Sequence, residues 1–257
     1  MRLPRYTALM IRLYIAEPTP PFAEGLALAL NPDQGRYLTS VMRQGVGNQV
    51  SLFNGRDGEW TARIAEAGKK TVSVELITQT RTQPLGQGPV LVVALVKRSA
   101  LETIIEKATE LGAAAIHLVV SHRSNSSHTN IERLSAIAAE AAEQTERLDV
   151  PQVLPPVKLE KWLGDHAGQA LIFADEDSTH EGDDRKTQPI LQALHGFAGG
   201  APAILIGPEG GFDDDERRAL RGLPHVIAVN LGPRILRADT AAISALTLYQ
   251  AACGDWR

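Results

Sequence analysis

Over the first eighty residues the apolar positions fall in short runs broken by turn residues: "MIRLYIA", "NQVSLFNG", "GEWTARIAEA" and "KTVSVELIT". The last places Val72, Val74 and Leu76 at every second position, the period of a half-buried strand. Short, evenly spaced strands of this kind predict a small β-barrel. The segment "TQTRTQPLGQGP", Thr78 to Pro89, is polar and holds two prolines and two glycines, which reads as a linker. Beyond it the pattern changes. "VLVVALV" is a continuous apolar run for a buried strand, and "ALETIIEKATELGA" has helical spacing up to a Leu-Gly stop at Leu111 and Gly112. The strand "AIHLVVS" follows, then a long helix from Asn130 to Leu148 opened by a capping residue. "ALIFADE", "PAILIGPEGGF", a charged helix around "DDDERRALRGL", "HVIAVNLG" and a last helix in "DTAAISALTLYQAA" continue the alternation. Strand-helix alternation predicts a mostly parallel sheet covered on both faces. The expected division is therefore a barrel domain over 1–81, a linker over 82–89 and an α/β domain over 90–257.

Composition adds bounds. The chain has 257 residues, 44% hydrophobic and 22% charged, ordinary for a globular protein with its own core. A single cysteine, Cys253, excludes an internal disulfide and any cysteine-based metal cluster. No apolar run reaches the roughly 18 residues of a membrane span, and "MRLPRYTALMIRLYI" lacks a signal-peptide core, so a cytoplasmic protein is expected. The net charge of −4 hides an asymmetry. Residues 1–81 carry ten Lys/Arg and seven Asp/Glu, leaving sixteen and twenty-three for the rest. The N-terminal part is the better polyanion contact, and a solvated basic surface gives the same balance.

In open parallel sheets ligands settle outside the C-terminal strand ends, which singles out two loops. "ILIGPEGGF", Ile204 to Phe212, has three glycines that let backbone approach a ligand. It matches neither dinucleotide nor P-loop patterns, and Glu209 with the acidic run Asp213 to Glu216 repels phosphate. A neutral or cationic ligand offering ring nitrogens fits it better; a tight turn with helix capping at Asp213 accounts for the same residues. The second loop, "LGPRILRADTAA", sets an apolar pair, Ile235 and Leu236, between Arg234 and Arg237, with Asp239 or Thr240 placed to cap the last helix. An arginine just before a helix N-terminus gains nothing from the dipole. Arg237 therefore has a partner of its own, a ligand or an ordinary ion pair, and Arg234 reads as structural. The seven histidines show no metal-ligand spacing, and no nucleophile motif occurs. In "SHRSNSSH", Arg123 is a surface residue or an RNA contact, and Lys97 and Arg98 contact phosphate or cap a helix.

Taken together, "IGPEGGF" followed one strand later by "LGPRILRADTA" resembles the C-terminal signature of the RsmE family, uridine-N3 methyltransferases of small-subunit ribosomal RNA within the SPOUT superfamily of trefoil-knot enzymes. "KRSALETIIEKATELGA", "AAEQTERLDVP" and "YLTSVMRQGVGNQVSLFNG" extend the similarity over nearly the whole chain. Two departures are small: the family usually has Glu at the position of Asp239 and often Asp at that of Asn48. Residues 1–9 have no counterpart and are expected to be a flexible arm or an upstream start.

The resemblance implies an N-terminal PUA-like β-barrel that binds RNA and a C-terminal SPOUT α/β domain with a deep trefoil knot, in a homodimer. It implies S-adenosylmethionine held by Phe173, Ala174, Ile206, Gly207, Pro208, Glu209, Gly210, Gly211, Leu231, Gly232, Ile235, Leu236, Arg237 and Ala242. The implied substrate is N3 of a uridine in the decoding-region helix of 16S ribosomal RNA, in the assembled or nearly assembled 30S subunit. Arg237 is expected to stabilise the uracil anion as the catalytic residue, with Glu209 or Asp239 as candidate proton acceptors. Arg12, Arg36, Arg43, Lys97 and Arg123 are the expected RNA contacts. Two rival readings are a noncatalytic RNA-binding assembly factor and a related methyltransferase acting on transfer RNA or on a ribose 2′-OH.

Overall fold

Burial follows the period-2 pattern read from the sequence: Val72, Val74 and Leu76 are all buried on one face of their strand. The structure, a computed structural model, describes residues 10–68, 71–84, 88–124, 126–175, 187–195 and 201–256. The expected arm over 1–9 and residues 85–87 of the expected linker lie outside the described residues. The fold is mixed α/β, and the chain divides into two units, residues 1–85 with 142–149, and residues 86–141 with 150–257.

In the first unit, strands β1 (Arg12–Tyr14), β2 (Ala27–Ala29), β3 (Gln49–Phe53), β4 (Glu59–Ala67) and β5 (Val72–Arg81) form one sheet in the order β1-β3-β4-β5-β2. β1 and β3 are parallel and the other pairs antiparallel. Three register shifts between β4 and β5 bend the long strands and curl the sheet. Its inner face packs Leu13, Val50, Leu52, Ile64, Val74 and Leu76. Helix α1 (Pro32–Arg36), continued by a π-helical turn over Tyr37–Val41, starts with a reciprocal capping box between Asn31 and Gln34. That short helix escapes a reading based on apolar periodicity.

Arg12, expected at phosphate, is instead a structural residue of this unit. Its guanidinium is buried, pairs with Glu59 at 2.8 Å and lies 4.7 Å from the centre of the Phe53 ring. It also donates to the carbonyls of Ala142, Glu143 and Arg147 at 3.1, 2.9 and 2.8 Å. These carbonyls close the C-terminal end of helix α3 (Ile131–Gln144), where backbone acceptors lack helical partners and a cation is favoured. The bonds account for residues 142–149 belonging with the first unit, and leave Arg12 no free face for RNA.

In the second unit the strands are β6 (Val90–Ala94), β7 (Ala115–Val120), β8 (Gln152–Lys158), β9 (Leu171–Ala174), β10 (Gln188–Pro189), β11 (Ala203–Ile206) and β12 (Val226–Asn230). All pair in parallel, in the order β10-β12-β9-β11-β6-β7-β8. Helices α2 (Arg98–Glu110), α4 (Leu159–Asp165), α5 (Ile190–His195), α6 (Asp214–Gly222) and α7 (Ala238–Ala252) complete the unit with most of α3. Each central strand is apolar on both sides. Leu91, Val93, Ile204 and Ile206 enter a core with α2, α3, α5 and α7, while Val92, Phe173, Leu205 and Phe212 enter another with α4 and α6. Two-sided burial explains the continuous apolar runs. β8 escaped notice because it contains Pro155 and Pro156; at the end of the strand order its outer side needs no donors. The long helix expected to Leu148 ends at Gln144, and helix α2 closes at the expected Leu-Gly stop through Gly112 N–H to Thr109 and Ala113 N–H to Ala108.

Candidate functional site

Four adjacent strands, β12, β9, β11 and β6, run in the same direction, and the segments leaving their C-terminal ends surround one cavity of about 650 Å³. After β6 come Lys97, Ser99, Ala100 and Thr103; after β9, Ala174 and Asp175. After β11 come Ile206, Gly207, Pro208, Glu209 and Gly211, and after β12 the run Asn230 to Asp239 with Ala241. Volume and mixed lining suit a small organic ligand.

The loop after β11 has a fixed shape. Gly207 faces the Phe212 ring so closely that a Cβ there would lie 2.9 Å from Cε2, and Phe212 is itself fully buried against Phe173 at 5.3 Å between centroids. Gly211 has φ +66°, a conformation that favours glycine, and its N–H donates to the Pro208 carbonyl at 2.9 Å. The carboxylate of Glu209 accepts the Lys97 N–H at 2.9 Å, tying this loop to the start of α2. Helix α6 then begins at the expected cap: Asp213 and Glu216 form a reciprocal capping box.

The loop after β12 is different. Gly232, Pro233, Arg234, Ile235 and Arg237 are exposed, Ile235 to 83%. Arg237 takes the N-cap position of α7 with extended backbone and no side-chain cap bond. The cap expected from Asp239 or Thr240 is therefore two or three residues too late. Asp239 stands in the first turn, where a carboxylate complements the dipole, and accepts the Thr240 N–H at 2.9 Å. Among the described residues the Arg237 guanidinium has no partner, so an ordinary ion pair does not account for its placement.

A family model for an RNA methyltransferase domain matches residues 86–250, and one for an RNA methyltransferase PUA domain matches residues 30–77. Ribosomal RNA small subunit methyltransferase E of Rickettsia conorii is 34% identical over 82% of this chain and 83% of its own length. The chain belongs to this methyltransferase family. Two solved structures of similar proteins were determined with S-adenosylmethionine bound. A protein of Legionella pneumophila described as a methyltransferase is 30% identical, with TM-score 0.76 over 95% of this chain and 98% of its own. The small subunit methyltransferase E of Neisseria gonorrhoeae is 26% identical, with TM-score 0.79 over 96% of this chain and 100% of its own.

Within this family member, the expected cofactor residues Ala174, Ile206, Gly207, Pro208, Glu209, Gly211, Leu231, Gly232, Ile235, Leu236 and Arg237 all line the cavity. Three others do not. Phe173 is buried beneath it, Ala242 is buried on the core side of α7, and the Gly210 carbonyl accepts from Arg123 at 3.0 Å. Arg234, read as structural, lines the cavity and is exposed. Lys97 lines it as well, whereas Arg36 and Arg43 are exposed in the first unit, Arg36 paired with Asp33 at 2.6 Å.

Two features were missed. Asp175, fully buried at the end of β9, accepts two bonds from Arg221 of α6 at 3.0 and 2.7 Å and lies 3.4 Å from Arg217. The acid alone gave no signal, since its partners come 42 and 46 residues later. His122 brings its Nδ1 to 2.5 Å from the Asp213 carboxylate and its N–H to Glu216 at 2.8 Å. These three groups cluster within 4.8 Å, which their spacing in sequence conceals, and the bonds among them already occupy the oxygens. The Asp213 hydrogen bond, with the nearby Glu216 charge, raises the His122 pKa above its ordinary value.

Proposed function

We propose that the chain transfers a methyl group from S-adenosylmethionine to N3 of a uridine in the decoding-region helix of 16S ribosomal RNA. The observation that carries this is the cavity at the ends of β12, β9, β11 and β6, in a chain of the small subunit methyltransferase E family. Its lining fits the cofactor: glycine-rich backbone and apolar Ile206, Leu231, Ile235 and Leu236 for adenosine, with carboxylates and cations together for a zwitterionic amino-acid end. When bound, S-adenosylmethionine supplies a methyl group already activated by its sulfonium.

The chain's own task is alignment and help with the uracil charge. As N3 gives up its proton, negative charge spreads over O2, N3 and O4. Arg237 at the cavity rim donates to one of these oxygens, a contribution of about 3 kcal/mol for a donor in such a role. The proton leaves to Glu209, Asp239 or solvent. Arg36, Arg43 and Lys97 contact RNA phosphates, so binding weakens as salt rises. The first unit serves as a PUA-like RNA-binding barrel over 1–81, which presents the base unstacked. The second, over 90–257, carries a deep trefoil knot, a reading favoured by the way β9 and β12 lie beyond β11 in the sheet. The exposed apolar Leu191, Ile235 and Trp256 suit a homodimer. The working place is the cytoplasm and the substrate the assembled or nearly assembled 30S subunit.

N3 methylation blocks the Watson-Crick edge and stops reverse transcription. Deleting the gene removes a stop at one uridine of small-subunit RNA and re-expression restores it; an unchanged stop pattern refutes the assignment.

A further inference from the structure

Arg123 sits in the loop after β7, outside the cavity lining, yet it touches the cavity's glycine turn. Its Cβ and Cδ lie 3.5 and 3.6 Å from the point where a side chain on Gly210 would begin, so its stem lies against that glycine. Its Nη1 donates to the Gly210 carbonyl at 3.0 Å. The next N–H, on Gly211, donates to Pro208 at 2.9 Å. A trans peptide points its carbonyl and its N–H in opposite directions. The Gly210–Gly211 peptide is therefore held at both ends, inward by the turn and outward by Arg123.

The neighbouring residue fixes where Arg123 starts. The His122 N–H and ring bond Glu216 and Asp213, the two residues that open α6 directly after the glycine loop. On the opposite side Glu209 is bonded to the Lys97 N–H. Three segments, after β6, β7 and β11, thus meet at one four-residue turn.

We infer that Arg123 is a positioning residue, locking the Pro208–Gly211 turn from behind so that the cavity wall is formed before ligand arrives. The inference rests on the reading of the cavity as the S-adenosylmethionine site. A turn rich in glycine loses much backbone freedom on ordering, and a wall already ordered spares the ligand that cost. This differs from the phosphate contact expected of Arg123 from sequence, and the two roles separate in solution.

The test compares wild type, Arg123→Ala and Arg123→Lys by calorimetry with S-adenosylmethionine and by binding to purified small ribosomal subunits across a salt series. Arg123→Ala weakens cofactor binding about tenfold, the equivalent of one hydrogen bond from a charged donor. Subunit affinity and its salt slope stay at the wild-type values, and Arg123→Lys, which keeps a cationic donor, recovers most of the loss. Unchanged cofactor affinity in Arg123→Ala overturns the inference, and so does a loss confined to subunit binding with a shallower salt slope, the mark of a phosphate contact. If wild type itself binds no S-adenosylmethionine, the reading of the cavity fails rather than the lock. The lock is then judged by hydrogen exchange at the Gly211 amide: faster exchange in Arg123→Ala upholds it, and a wild-type rate overturns it.

Discussion

On one side of the cavity the turn at Pro208–Gly211 is bonded to itself, to Lys97 and to Arg123, over a packed Phe212. Facing it, the segment 231–237 has a 3.3 Å bond from the Gly232 N–H to Asn230, leaves Ile235 83% exposed, and carries two arginines with no partner among the described residues. One wall is shaped by the fold. The other leaves charge and apolar surface exposed. On the proposed function, the ordered turn sets the cofactor's position, since preorganisation lowers the cost of binding, while the exposed wall adds Leu231, Ile235 and Leu236 to the cofactor and offers Arg237 where new charge develops.

The largest expected effect lies at the buried ion pair just after β9. Asp175→Ala removes the acid that Arg221 faces, and breaking a buried pair costs about 3–5 kcal/mol because a charge is left behind. Chemical denaturation reads this as a lower midpoint; a midpoint equal to wild type contradicts a structural role for the pair. Gly207→Ala forces a methyl against Phe212, a crowding worth about 1–3 kcal/mol. Both stability and cofactor affinity fall, measured by thermal unfolding and calorimetry on one preparation. Ile235→Ser sharpens the contrast from the other wall. Its side chain is already exposed, so stability stays within about 0.5 kcal/mol while S-adenosylmethionine binds a few-fold more weakly. A loss of stability there equal to that of Gly207→Ala erases the distinction between the walls.

The smallest effect is a pH dependence at the clasp behind the shaped wall. Asp213 raises the pKa of His122, and the Glu216 N–H and His122 lower that of Asp213. For the histidine, the stabilisation is complete below its unfolded value near 6.5 and is lost as pH rises through the higher folded value. For the aspartate, it is present above the ordinary 3.8 and disappears as pH falls through the lower folded value. An NMR titration of His122 has its midpoint above 6.5, and Asp213→Asn brings it down; identical midpoints exclude the link.

Much of the second unit was legible because two-sided burial writes continuous apolar runs, as at Val90–Ala94 and Ala203–Ile206. The glycine loop and the 231–237 segment were legible for a related reason, since glycines and an isolated arginine pair interrupt those runs at strand ends. What stayed hidden depends on partners distant in sequence. Arg12 reads as a surface cation inside a strand until the carbonyls at 142, 143 and 147 are seen around it. Arg123 reads as a loop residue until Gly210 lies under it. Only the resemblance places Ala242 at the cofactor; its spacing with Leu246 and Tyr249 marks the apolar face of α7, and all three lie in the core. The α7 cap was misplaced because Asp and Thr are common caps, whereas here the extended backbone ends at Arg237.

The division of labour between the walls is tested most directly by Arg237→Ala, assayed for S-adenosylmethionine affinity by calorimetry and for single-turnover methylation of small ribosomal subunits. The expected result is cofactor affinity largely kept, with the methylation rate reduced about 100-fold, matching the loss of one transition-state donor. Unchanged turnover, or a loss of cofactor affinity that accounts for the whole decrease, would contradict the assignment of Arg237 to the uracil.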